Sequence, residues 1–204
     1  DDIVVHPRTK DIVLGTHGRS IWVLDNAAPF AEWSSAVAAK PAHLFSVPRA
    51  TLINYWADVS TAAHGIYAAE NPAEGAVFTY HLGRPAQSVK FTVTNASNRV
   101  IRELSGPMTP GMMHRANWDL RYPPAAGGGG FGGGGGGGGG GGRATESRPP
   151  LPEPAHNIGA RGFYVSPGTY TVTMEVDGTK QTRTFEVRGD PTMMETVADH
   201  KARE

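Results

Sequence analysis

The sequence contains no cysteine. That absence removes disulfides, thiolate nucleophiles, zinc–thiolate sites and iron–sulfur clusters. It leaves the redox compartment open, because a secreted protein of sufficient size need not carry disulfides. There is no excess of either charge: 19 Lys and Arg balance 19 Asp and Glu, for a formal net charge of zero. The balance argues against a nucleic-acid partner and against a polybasic membrane anchor. No apolar run approaches the ~20 residues that a membrane-spanning helix requires, so no membrane span is expected. The start, Asp1-Asp2, lacks a methionine, a basic n-region and an apolar h-region, and so gives no signal peptide. The charged start leads us to expect a piece of a longer polypeptide.

What remains is 204 residues and 21.6 kDa, enough for one large domain or two small ones. The chain has 27 glycines, but most lie in the tract from Gly127 to Gly142, interrupted only by Phe131. Outside it the sequence is rich in Val, Thr, Phe, Tyr and Trp and short of helix-forming stretches, which points to a mostly β protein. Residues 1–26 read as three short strands around Ile3-Val4-Val5, Ile12-Val13-Leu14 and Ile21-Trp22-Val23-Leu24, separated by turns containing Gly or Pro. All three are apolar on both faces, the pattern of strands covered on two sides, and three strands cannot bury themselves.

Residues 27–75, punctuated by Pro29, Pro41, Pro48 and Pro72, read as an irregular connector with at most a short helix near Pro29 to Ala39. From residue 76 the period-two alternation is clean. Val89, Phe91 and Val93 share one face, as do Ala116, Trp118 and Leu120, and Tyr170, Val172, Met174 and Val176. Asp177-Gly178 between two alternating runs is a strong hairpin signal, since both turn residues must take positive φ. Residues 76–189 are expected to form one β-sandwich around Trp118, Phe91, Val93, Tyr170, Val172 and Phe185. The insertion 123–162, with its glycine tract, reads as disordered linker, because it has almost nothing to bury against its ordering entropy. Asp190-Pro191-Thr192 opens a helix that is barely three turns long at Glu204, so this end also reads as a cut.

Two resemblances agree with this layout. Asp1 to Asn26, with His6-Pro7 and the run Gly15-Thr16-His17-Gly18-Arg19-Ser20-Ile21-Trp22-Val23-Leu24-Asp25, resembles the last blade of bacterial sortilin-like (Vps10-type) β-propellers with neuraminidase-type repeats. The stretch Ala57 to Ala62 and on to Asn71-Pro72-Ala73-Glu74-Gly75-Ala76 is similar to the connector that follows that propeller. Val100 to Leu104, Thr109-Pro110-Gly111, Trp118-Asp119, Pro167 to Val172 and the Asp177-Gly178 hairpin resemble an immunoglobulin-like module of the flagellar hook-capping type. The resemblance implies a secreted or periplasmic host whose upstream propeller is this region's partner. It implies a non-catalytic role, capping the propeller and presenting a protein- or glycan-binding surface. Such proteins are often labelled glycosyl hydrolases, so the alternative is an accessory part of a hydrolase whose catalytic residues lie upstream. The full aspartate box, Ser-x-Asp-x-Gly-x-Thr-Trp, does not occur, and no catalytic residue transfers to this chain.

Candidate chemistry is sparse. A glycosidase needs two carboxylates ~5–9.5 Å apart across the scissile bond. Asp25, Asp58, Glu70 and Glu74 flank turns without sharing a strand face. The eight histidines are dispersed, none in an i, i+4 helix pair, so neither metal nor cofactor is expected. His17 in its tight inter-strand turn, with Arg19 beside it, is the best binding candidate. Its simpler role is a hydrogen bond to a loop carbonyl. Trp33, Tyr55, Trp56 and Tyr67 make a candidate stacking platform for carbohydrate or peptide; the more usual role of such a set is packing a connector onto its neighbour.

Overall fold

The computed structural model describes residues 2–53, 73–123 and 162–191. Of these, 50 % are in strands and 7 % in helices. The strands form three sheets.

The first sheet is an antiparallel meander of β1 (Asp2–Val5), β2 (Ile12–Gly15) and β3 (Ile21–Leu24). Gly18 at φ 75° and Ser20 at φ 72° carry the left-handed backbone of the β2–β3 turn. The Thr16 hydroxyl donates to Ser20 O at 2.7 Å across it. In the β1–β2 turn the Thr9 hydroxyl donates to Asp11 Oδ2 at 2.5 Å, and Asp11 Oδ1 accepts from the Asn26 amide at 2.8 Å. Its strands are apolar, yet β1 and β3 are exposed along their whole length. Ile3 is 64 % accessible, Ile21 70 % and Trp22 62 %.

The other two sheets face each other across one core. The smaller has the order β4-β6-β9, from β4 (Ala42–Leu44), β6 (Ala76–Leu82) and β9 (Gly111–Trp118). The larger has the order β5-β11-β10-β7-β8, from β5 (Ala50–Thr51), β7 (Val89–Asn95), β8 (Val100–Ser105), β10 (Gly168–Val176) and β11 (Thr179–Arg188). Alternation decides which side chains enter. Phe78, Tyr80 and Leu82 of β6 point inward, as do Phe91 and Val93 of β7 and Val172 and Met174 of β10; all are essentially inaccessible. Phe78 stacks on Phe91 at 5.8 Å between centroids, and Trp118, fully buried, meets Tyr170 at 5.5 Å and Phe185 at 6.3 Å. Rings in these offset and edge-on arrangements add to the area they bury. Trp118 Nε1 donates to Arg121 O at 3.0 Å, so the burial costs it no hydrogen bond.

The period-two reading holds for β7, β10 and β11 and for Ala116 and Trp118 of β9, which ends there with Leu120 at φ 57° beyond it; Asp177 (φ 48°) and Gly178 (φ 86°) form the expected tight turn. Asp177 Oδ1 also accepts from the amides of Gln87 and Ser88, tying that hairpin to the start of β7. The irregular segment that follows β3 does more than connect. It forms two short helices, α1 (Ala28–Glu32) and α2 (Ser35–Ala38), and then supplies β4 to the small sheet and β5 to the large one. Leu44, Ala50 and Leu52 enter the core, so residues 76–187 do not close it alone. Gln181 of β11 secures the crossing: its Oε1 accepts from Leu44 N at 2.9 Å and its Nε2 donates to Ala42 O at 3.0 Å. One side chain thus occupies the β4 edge as a neighbouring strand's backbone would.

The expected terminal helix, the glycine tract and the bulk of the insertion lie outside the described residues. The two points where the chain leaves and re-enters are clamped together. Tyr122 N donates to Phe163 O and Val165 N to Leu120 O, both at 2.9 Å. Arg121 lies 3.7 Å above the Tyr164 ring.

Candidate functional site

Of the sequence-derived candidates, His17, Arg19 and Trp33 lie among the described residues. His17 and Arg19 stand exposed on the β2–β3 turn, beside the exposed Trp22, whose indole nitrogen donates to Arg19 O at 3.1 Å. Trp33 lies elsewhere, just past α1, half-buried against the small sheet. Its ring stacks on Phe45 at 6.2 Å and meets His81 edge-on at 5.0 Å. That is a packing arrangement, and among the described residues no ring contact joins Trp33 to the β2–β3 turn. Tyr55, Trp56 and Tyr67 lie outside the described residues.

The outer face of the small sheet holds a second cluster that sequence reading missed. Inward-pointing Ala42, Leu44, Tyr80 and Leu82 leave His43, Thr79 and His81 pointing outward, where Trp33, just past α1, meets His81 and Lys40, just past α2, reaches His43. His43 and His81 sit directly opposite each other in the β4–β6 register. Phe45, wholly buried, caps the pair and meets His43 edge-on at 4.9 Å. The His81 Nδ1–H donates to Gly111 O at 2.9 Å, which leaves Nε2 a buried lone pair with no partner. His43 Nδ1 accepts from the Lys40 ammonium at 3.5 Å. Burial holds the His43 imidazolium below its ordinary range, helped by the charges of Lys40 and Arg183 and by His81, and opposed by Glu32. A strand of three residues shows no period in the sequence, and its partner β6 lies far along the chain.

Two small clefts lie among the described residues. One cleft of about 60 Å³ opens between Pro41, Arg84, Pro85 and the Asp177 hairpin, and another of about 20 Å³ between Ile53, Glu74, Asp119 and Tyr164. Small-molecule sites run to ~300–1,000 Å³; these two hold a few waters at most. Glu74 and Asp119 share the smaller cleft, which has no space for a sugar between them. Among the described residues no group of three or more histidines or carboxylates converges as metal ligands, and no helix is long and apolar enough to cross a membrane. The Tyr80 phenol is pushed up to about 12 by burial, with its hydroxyl donating to Pro107 O at 2.7 Å. It is a core residue.

Comparison with protein-family models, with curated proteins and with solved structures finds no match to this chain.

Proposed function

We propose that this chain is a non-catalytic structural and binding region whose β1–β3 sheet is one layer of a larger β-propeller, preceding in the same polypeptide. One observation carries the reading: the sheet is apolar on both faces and exposed on both. Ile3, Val4 and Val5 are each more than half accessible, and Ile21, Trp22 and Val23 likewise. A sheet with one solvated face alternates apolar and polar residues, and exposed apolar surface of this extent marks an interaction site. Propeller blades are covered in this way, each packed between two neighbours.

The two facing sheets serve in this reading as an immunoglobulin-like module. Their strand order supports it. β4, β6 and β9 correspond to strands A, B and E of that fold, and β11, β10 and β7 to G, F and C. The first strand is shared between both sheets as β4 and β5. The module would cap the propeller, in a secreted or periplasmic host, and the β2–β3 turn with His17, Arg19 and Trp22 would offer a protein- or glycan-binding rim.

Hydrogen exchange on this chain and on the longer polypeptide tests the proposal. Amides of residues 12–24 are expected to exchange fast in the chain alone and at least tenfold more slowly in the longer protein. Equal protection in the two would overturn it.

A further inference from the structure

We propose that α1, α2 and β4 form an acid-released latch over the small sheet, held shut while His43 is neutral and freed when His43 takes a proton. The geometry of the cluster carries this. His43 is about nine-tenths buried, and its ring is enclosed by Phe45 at 4.9 Å and by His81 across the β4–β6 pair.

Every element packed on His43 brings a named group to it. Lys40, which follows α2, points its ammonium at Nδ1, the atom a proton would occupy. Arg183 of β11 adds a second positive charge and His81 of β6 a second imidazole. Glu32 of α1 is the one carboxylate that opposes them, and both its oxygens already accept from Ser46 N at 3.2 Å. A proton on Nδ1 replaces an accepted hydrogen bond by two cationic donors facing each other. His81 Nδ1 is committed to Gly111 O, and its other ring nitrogen, a free acceptor, makes no hydrogen bond to His43 in the closed form.

The element that yields is the least supported one. Helices of five and four residues have no stability of their own. β4 is three residues long and depends on β6 and on Gln181. The main core lies on the other side of β6 and does not contain Trp33, Phe45 or either histidine. Opening the latch therefore uncovers Trp33 and Phe45 and withdraws Ala42 and Leu44 from the edge of the core, while β10 and β11 stay paired.

The sign is fixed by linkage. With the closed-state value lowered below 6.5 and the open-state value at 6.5, the open form binds more protons. Stability of the closed form is complete above pH 6.5 and falls as pH drops toward the closed-state value. The opening equilibrium shifts by up to about tenfold per pH unit in that window.

Hydrogen exchange of the whole chain, corrected for intrinsic rates, at pH 7.5 and at pH 5 reads the latch directly. Amides of residues 37–45 are expected to lose protection at pH 5 relative to pH 7.5, with residues 170–187 unchanged. His43→Leu should abolish that difference. An NMR titration of the His43 ring in the unsubstituted protein decides the matter if the variant does not fold: its midpoint should fall below 6.5. A midpoint at or above 6.5, or loss of protection in both segments together, would overturn the proposal.

Discussion

Two regions of this molecule use the same residues to opposite ends. In β1 and β3, Ile3, Val4, Val5, Ile21, Trp22 and Val23 face solvent. In the facing sheets, Val89, Phe91, Val93, Val172 and Trp118 are sealed away, most of them completely. Residue type does not distinguish the two sets. The difference is that the facing sheets alternate apolar with polar residues and so have one face to bury against each other. The meander has two such faces and no sheet on either among the described residues. A tryptophan is a stabilising residue in one place and an unfilled contact in the other.

The largest test of this contrast is a pair of truncations. Trp118→Ala should cost ~3–5 kcal/mol, whereas Trp22→Ala should stay within ~0.5 kcal/mol, both read from urea melts. Comparable losses would mean that the meander is part of the same cooperative core. Backbone geometry gives the next effect. Gly75 sits at φ 87°, and a Cβ there would run into the carbonyl oxygen of Trp118. Gly75→Ala should cost at least ~1–3 kcal/mol. The open turn glycine Gly18, at φ 75° with nothing near its Cβ position, carries only the conformational part of that cost.

Gln181→Ala tests the stitch between the two facing sheets. It strips the buried Leu44 amide of its acceptor, worth ~1–3 kcal/mol, and the loss should appear as faster exchange in β4 before β10. Smaller again is the glycine tract. Tyr122 N donates to Phe163 O across the base of the insertion, and cutting residues 127–142 to four glycines is expected to act through loop entropy. The expected shift is under ~0.5 kcal/mol, checked by calorimetry.

Acid should separate the regions as well. Desolvation pushes the Asp11 carboxyl up, but the Asn26 amide, the Thr9 hydroxyl and the charge of His6 outweigh it and hold it below 3.8. A lowered carboxylate stabilises the fold above its unfolded value and loses that contribution as pH falls through the folded one. The Asn26 amide should therefore lose protection below pH 3.8, ahead of the Trp118 indole.

How much of this was legible in the sequence follows from the range of each interaction. β7, β9, β10 and β11 declared themselves through alternation, and the Asp177-Gly178 turn through two residues that tolerate positive φ. These are local signals. β4 and β5 were hidden, because strands of three and two residues show no period and draw their identity from β6 and β11 far along the chain. The His43–His81 cluster was hidden for the same reason: its two members are joined by register alone. The exposure of β1–β3 was legible as a pattern needing cover on both sides. Trp33 looked like any scattered aromatic until Phe45 and His81 gave it a place.

The stitch made by Gln181 also has a consequence for the order of events during synthesis. Leu44 and Gln181 are 137 residues apart, so β4 and β5 leave the ribosome long before β11 exists to receive them. Closing a contact of that span is slow, since the entropy of the intervening chain is lost before any bond forms. Until then the nascent protein carries an unpaired β4 edge beside the bare apolar meander, the combination most prone to pairing with another chain. Of the described strands β11 is made last, and its Gln181 closes the β4 edge.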